Sequence, residues 1–378
     1  MFSEVSHEKR NHIIEFFERQ QFNDFEQIIE KMKRKELISL EDAMSLLSLC
    51  HDNPSYKDIF KEQLAKNRND VFDNQLNIIV PHYHSSRCAD NCKYCGFRMS
   101  NKDIQRIRLK DNDFIEEMKL LLSWGYRSFE FVYATDMHYK PELIGERIKV
   151  AKQLADEHGC TITIGIDAQA FDDDGYVQLK QDGMDFLVLW METYHHEIYA
   201  DVHPENTRKA DYAFRVNAPE RLIKAGCTQY SLGALLGLAP WKEDAAMLMA
   251  HGDYLRQTYG YSPYIIGIPK LTPAMGKGLA DFPHIIDTDT LTLISWVYKA
   301  MFPSAKLFVN SRQTMDQNSK IVAGGGDLFT IDFATFPGDY LKGLSNSPEH
   351  QQFETLPYNR EEAIAELRNR NFNPVFSW

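Results

Sequence analysis

The chain of 378 residues is poor in cysteine, short of positive charge and without a long apolar run. Six cysteines cannot staple a protein of this length, so a disulfide scaffold is excluded and any tight cysteine cluster reads as metal-binding or catalytic. Lys and Arg together number 42 against 54 Asp and Glu, a net charge of −12 that argues against a general nucleic-acid surface. No apolar stretch approaches the ~20 residues that cross a bilayer, so no membrane partner is expected. The N-terminus, "MFSEVSHEKRNHIIEFFERQ", has neither the apolar segment nor the small-residue cleavage site of an export signal, which points to a cytoplasmic protein. Internal repeats and low-complexity segments are also lacking. What is present is enough apolar residue, 43%, for a large core. The length suits one α/β barrel of ~250 residues with appendages.

Apolar spacing predicts helices through the first ~75 residues: Ile13, Phe16 and Phe17, then Phe25, Ile28, Ile29 and Met32. Ser39 and Asp42 form a capping-box pattern before a face of Ala43, Leu46, Leu47 and Cys50. Beyond this preface come eight short apolar or β-branched runs, "NIIVPHY" from Asn77, "SFEFVYA" from Ser128, "CTITIGID" from Cys160, "FLVLWME" from Phe186, "YSLGALL" from Tyr230, "YIIGIP" from Tyr264, "KLFVNSR" from Lys306 and "LFTIDFA" from Leu328. Helix-like segments separate them; one ends at Gly159, a plausible C-cap. Strands buried on both faces and joined by helices indicate parallel β/α units. Eight close most economically as an α/β fold of the TIM type, a (β/α)8 barrel, with an open doubly wound sheet as the alternative. The expected organisation is an N-terminal helical extension over 1–75, the barrel over 76–340 and a C-terminal helical tail over 341–378. The polar stretch from Gly338 is read as a link to that tail, and a capped helix is expected from Asn359.

Immediately after the first strand, where barrel enzymes keep their active residues, stands "CADNCKYCGF". Cys88, Cys92 and Cys95 form a Cys-x3-Cys-x2-Cys run. A structural zinc site wants four closed ligands, and no second knuckle is present, so zinc would need His82 or His84 as a fourth ligand in a non-catalytic binding barrel. A [4Fe–4S] cluster held by three thiolates leaves one iron open for a cosubstrate. Cys50, Cys160 and Cys227 are isolated and read as core thiols.

The cysteine run, followed by Gly96 and Phe97 and set after the first strand of a β/α barrel, resembles the radical S-adenosylmethionine superfamily. "CGFRMSN", "METYHHEIYA", "APERLIKAGCTQYSLGALLGL", "FPGDY" and "FNPVFSW" are similar to its 2-iminoacetate synthase (tyrosine lyase) branch, over about the whole chain from Asn77. The resemblance implies a [4Fe–4S] cluster on the three cysteines, S-adenosylmethionine on the open iron and reductive formation of a 5′-deoxyadenosyl radical. It further implies cofactor contacts from Phe97, Thr135, Asp136 (accepting from the S-adenosylmethionine amino group), Asp167, Gln169, Arg215 (near its carboxylate) and Gly233 (backbone approach to the adenosine). Glu192 and His195 of "ETYH" and Arg312 of "NSRQ" become candidate catalytic residues, Arg312 as a clamp for the carboxylate of an amino-acid substrate. Three positions depart from the branch: Gln313 in place of glutamate, Lys270 in place of arginine and an aspartate, Asp136, in place of glutamate. They are expected to lie where substrate sits. The implied reaction is cleavage of tyrosine to 2-iminoacetate and p-cresol for the thiazole of thiamine, or a sister reaction on tryptophan or another amino acid. Implied partners are a flavodoxin- or ferredoxin-type reductant and a thiazole synthase. Arg98, Lys102, Arg106, Arg108 and Lys110 stand close together downstream of the cysteines, a candidate docking face for an acidic reductant.

Overall fold

All eight apolar runs form strands, and the first is interrupted. The computed structural model describes residues 1–72, 74–276, 281–310, 312–343, 350–356 and 358–377. Within it β1 (Gln75–Ile78) and β2 (Val80–Tyr83) are halves of one extended run about Ile79. They are followed by β3 (Ser128–Ala134), β4 (Thr163–Ala168), β5 (Phe186–Val188), β6 (Ser231–Gly233), β7 (Ile265–Gly267), β8 (Lys306–Val309) and β9 (Leu328–Phe329). β2 to β5 pair in chain order, as do β6 to β9, and β9 pairs with β1; every pairing is parallel. Between β5 and β6 the seam is closed by Leu187 N–H on the Gln229 carbonyl (3.1 Å), Met191 N–H on that of Gly233 (2.8 Å) and a parallel bridge of Glu192 with Ala234. The sheet therefore closes on itself as a TIM-type barrel, and the open doubly wound alternative is excluded.

The connections carry α5 (Asp111–Ser123), α6 (Pro141–Glu157), α7 (Asp173–Gln181), then α8 (His196–Val202), α9 (Tyr212–Val216) and α10 (Ala218–Lys224) in one long crossover. α11 (Trp241–Tyr259), α12 (Thr288–Met301), α13 (Met315–Ala323) and α14 (Asp339–Lys342) complete the ring. Gly159, two residues beyond α6, takes φ 72°, the left-handed value that lets the chain leave the helix. Among the described residues no helix is long and apolar enough to cross a membrane.

Four helices precede the barrel: α1 (Phe2–Arg19), α2 (Phe25–Lys33), α3 (Leu40–Asp52) and α4 (Pro54–Phe72). Ser39 and Asp42 satisfy each other's backbone N–H at the start of α3, and Ala43, Leu46, Leu47 and Cys50 are buried. α3 packs on α11 and α12, so the preface covers outer helices of the barrel. α1 is pinned by Phe2, whose ring stacks on His251 at 4.1 Å and whose N–H donates to Glu220 at 2.6 Å.

The tail is not purely helical. α15 (Arg360–Asn369), capped by Asn359, is followed by β10 (Asn373–Val375), which pairs with the outer edge of β1. The physical reason lies in the broken first strand: β3 begins pairing only at Val80, which leaves the edge of β1 open for Asn373 to Val375. Pro374, with no N–H to donate, is tolerated at such an edge. Of the stretch read as a link, residues 344–349 and 357 lie outside the described residues.

Ile79, Phe186, Val188, Ile265, Phe308 and Leu328 fill the barrel interior as one apolar cluster. That plug leaves the polar groups of the interior concentrated toward the C-terminal end of the strands.

Candidate active site

Cys88, Cys92 and Cys95 line one cavity at that end. Their loop is organised by Arg106, whose guanidinium donates to the carbonyls of Ser86 (2.7 Å), Phe97 (2.8 Å), Arg98 (2.7 Å) and Asn101 (2.9 Å). All three thiols are free. N–H donors are aimed at sulfur: Asp90 N–H at Cys88 (3.4 Å) and Gln352 Nε2 at Cys95 (3.8 Å). Burial, with Asp90 and Cys95 nearby, pushes the Cys88 thiol up to about 11, and burial raises Cys92 and Cys95 as well. Such thiols stay protonated until a cation replaces the proton, and donors aimed at sulfur stabilise the thiolate that results. The residues present thus fit a three-thiolate iron–sulfur cluster. They do not fit zinc with a histidine. His82 Nδ1 meets His84 Nε2 at 3.1 Å and His82 Nε2 meets Glu117 at 3.0 Å, so both rings are engaged in the core. No three His, Cys, Asp or Glu side chains among the described residues converge as on a single ion.

Polar groups from successive strand ends share the cavity. Glu192, just beyond β5, has φ 74°, and Ala134, at the end of β3, has φ 51°. Left-handed backbone at non-glycine residues is costly and tends to be kept where it places a functional group. Glu192 accepts from Lys209 Nζ and lies 3.9 Å from Arg215. Arg215 donates Nε and Nη2 to the Trp190 carbonyl, at 2.9 and 2.6 Å. Thr135 donates to Asp90, which also accepts the Lys209 N–H. Asp167 is raised to about 7 by burial and Glu192, against the relief given by Lys209 and Arg215.

Phe97 and Arg312 line the same cavity. The Arg312 guanidinium lies 3.5 Å over the Phe353 ring and donates Nη1 to the Lys270 carbonyl at 3.1 Å, while its buried Nε has no partner among the described residues. Burial pulls its pKa down to about 10, so it remains a cation at neutral pH. Gln352 and Phe353 come from the stretch read as a link. The backbone of Gln351 and Gln352 rests on Gly96, where an added Cβ would come within 2.7 Å of both carbonyls. Gly96 N–H donates to the Gln352 carbonyl at 2.7 Å, and Tyr83 donates to the Gln352 side chain at 2.7 Å.

Four expected site residues fall outside the cavity lining. Both oxygens of Asp136 are taken by the Arg108 fork (2.6 and 2.8 Å), and Ser85 and the His138 N–H add to it. Burial opposes its ionisation, but these donors outweigh burial and hold the carboxyl below its usual range. Asp136 therefore anchors the cysteine loop, and Asp90 is the acidic group that faces the cavity beside Thr135. His195 sits at the N-cap of α8, where the chain turns its ring outward to Arg10 (3.0 Å) and Glu197 (2.9 Å). Gly233 makes room for a side chain rather than a cofactor: a Cβ there, or on Gly267, would run into the Trp190 indole. Gln169 borders an adjoining cleft that shares Asp90, Thr135, Lys209 and Arg215 with the cavity. The departures also lie elsewhere than expected, since neither Lys270 nor Gln313 nor Asp136 lines the cavity.

Glu130, Trp190, Lys209, Gln352 and Phe353 are lining residues that sequence reasoning missed. Glu130 had a signal, a lone charge inside the buried run "SFEFVYA"; the linker pair had none.

The basic stretch divides in the structure. Arg106 is committed to four carbonyls, Arg98 to those of Cys95 and Met275, and Arg108 to Asp136, which leaves Lys102 and Lys110 exposed. Lys102 borders a surface cleft with Arg87 and half-buried Cys88. Lys102→Glu should slow reduction by flavodoxin roughly three- to tenfold at low salt and leave reduction by dithionite unchanged. Arg106→Glu should lower iron content and impair both reductants alike. Equal responses of the Lys102 variant to the two reductants would remove this face from electron delivery.

Residues 82–248 match the Radical SAM superfamily. The chain is 28% identical to 2-iminoacetate synthase of Escherichia coli over 354 residues, which cover 92% of this chain and 89% of that protein. The crystal structure of HydG, a maturase of the [FeFe]-hydrogenase, superposes with a TM-score of 0.90 at 24% identity, covering 97% of this chain and 80% of that one. Methylornithine synthase (PylB) superposes with a TM-score of 0.72 at 20% identity, covering 92% of this chain and 97% of that one.

Proposed function

From the premise that this chain carries a radical S-adenosylmethionine domain and is a radical S-adenosylmethionine enzyme, we propose that it is a carbon–carbon lyase that removes the side chain of an aromatic α-amino acid. The substrate we assign is L-tyrosine, giving 2-iminoacetate and p-cresol. When bound, the [4Fe–4S] cluster and S-adenosylmethionine supply a 5′-deoxyadenosyl radical that takes one hydrogen atom from the substrate. The carbon, nitrogen and oxygen atoms of tyrosine partition completely between the two products, and the abstracted hydrogen leaves in 5′-deoxyadenosine. The balance is closed by two electrons, one for cofactor cleavage and one for the departing hydroxybenzyl group, which also takes up a proton.

The observation that carries the reading is Arg312: a half-buried side chain, stacked on Phe353, whose buried Nε is free and which has no ion-pair partner among the described residues. A substrate carboxylate is the group that completes it. Trp190 and Phe308, ring centroids 6.4 Å apart, supply aromatic surface for a ring in the same cavity. Cys88, Cys92 and Cys95 would hold the cluster. Arg215, Glu192, Lys209 and Asp167 offer charges of both signs to the amino, carboxylate and ribose groups of the cosubstrate. The loop backbone pinned on Gly96 carries Gln352 and Phe353 to the cavity, and so keeps water from the carboxylate pair. The imine product would be consumed by a thiazole synthase.

The test is anaerobic incubation with S-adenosylmethionine, a reductant and each aromatic amino acid in turn, followed by mass spectrometry. p-Cresol, 5′-deoxyadenosine and glyoxylate (the hydrolysis product of 2-iminoacetate), formed from tyrosine alone, are the expected products. An indole-derived product from tryptophan, with tyrosine untouched, would replace this reading by the sister reaction.

A further inference from the structure

Glu130 is the one charged side chain of the cavity for which neither the cysteine site nor the carboxylate clamp has a use. It is 5% exposed and lines the cavity from the middle of β3. Strand register fixes its depth. Pro81, Glu130, Gly165 and Phe186 stand opposite one another across β2 to β5 and so share a face, one layer further from the mouth than Tyr83, Val132, Asp167 and Val188. At Glu130's own level the neighbours are apolar: Pro81 on one side and, over Gly165, the ring of Phe186. Glu130 makes no hydrogen bond or ion pair with any described residue; burial and the Asp167 charge raise its carboxyl well above the usual range. A carboxyl group kept at the apolar end of a cavity without a partner is expensive, and it becomes tolerable when a ligand supplies the partner.

We propose that Glu130 is the specificity-determining residue of this site: with the α-carboxylate on Arg312 and the ring beside Trp190 and Phe308, it hydrogen-bonds a hydroxyl at the far end of the substrate's side chain. This assignment rests on the amino-acid lyase reading and deepens it. It limits the substrate to α-amino acids whose side chains end in a hydrogen-bonding group, because a ring without one would bury Glu130 unpaired. Sites built to pair a substrate hydroxyl reject the analogue lacking it far more strongly than apolar pockets reject a change in size.

The test is calorimetric titration of the reconstituted holoenzyme with S-adenosylmethionine present and reductant withheld, comparing L-tyrosine with L-phenylalanine. Wild-type protein should bind tyrosine at least about tenfold more tightly. Glu130→Met, close to the native side chain in volume, should bring the two affinities within about threefold by weakening tyrosine, whereas Glu130→Gln, which keeps hydrogen-bonding capacity, should retain most of the preference. Iron content and thermal unfolding establish that each variant is folded and loaded, and Glu130→Leu substitutes for the methionine variant if that fails to fold. A tyrosine preference unchanged in the apolar variant overturns the role of Glu130 and leaves the lyase reading standing. Wild-type protein that binds phenylalanine as tightly as tyrosine, or binds neither, overturns the tyrosine reading and this assignment together.

Discussion

Replacing any one of Cys88, Cys92 or Cys95 by Ala should abolish 5′-deoxyadenosine formation. Each thiol lines the cavity, none is tied up in a disulfide, and burial keeps each protonated until iron binds. Held by these three thiolates, the cluster would have no spare ligand, so losing one would leave an iron without its anion. The other cysteines serve as an internal control: Cys50 and Cys227 are buried, and neither they nor Cys160 reaches the cavity. Their alanine variants should keep iron and activity and lose only packing, on the order of 1 kcal/mol each. Absorbance near 400 nm, iron analysis and chromatography of the cleavage product check the set. A single-alanine variant at Cys88, Cys92 or Cys95 with normal iron and normal cleavage would sink the assignment.

Arg312→Ala should weaken binding of the amino acid by about 2 to 5 kcal/mol, roughly 30-fold to 5000-fold, the range for removing one partner of a buried charge pair. S-adenosylmethionine cleavage should persist but run uncoupled, forming 5′-deoxyadenosine without lyase product. Arg312→Lys restores charge but not the planar fork and should recover only part of the affinity. A competing account is available, because Arg312 also ties the Lys270 carbonyl to the Phe353 ring. If that structural contact were its whole purpose, the alanine variant would melt at a lower temperature and bind substrate as before. Calorimetric titration beside a thermal scan separates the two.

The barrel was legible in the sequence because its strands are buried on both faces, which writes each as an apolar run between turn signals. Helix starts were legible for a different reason: Ser39 with Asp42, and Asn359, act within a single turn, so sequence neighbours decide them. What depends on tertiary partners was not legible. His195 reads as catalytic beside Glu192, yet only Glu192 faces the cavity, because the start of α8 turns the ring of His195 toward α1. Asp136 matches the acidic turn of the family, but Arg108, 28 residues earlier, claims its carboxylate. Gly233 does mark a close approach, and sequence cannot say that the group approaching is Trp190. Gln352 and Phe353 sit in a polar stretch with no periodicity, and only the bare backbone at Gly96 brings them to the site.

The strand β10 places Gln75 opposite Asn373, so the first and last of the described strands lie side by side. For a ribosome that emits residues in order, the edge of β1 remains without its neighbour until the barrel between β1 and β10 has been made. An unpaired edge is a surface on which other nascent chains can add a strand. Closure of the loop between them is a late event with a large entropic cost, and contacts of such separation in sequence slow folding. The helical preface, translated before the barrel, can acquire its own turns early, but the outer helices it packs on do not yet exist. Assembly of this barrel is thus set by the order of synthesis: β1 has to wait, with one edge bare, for β10.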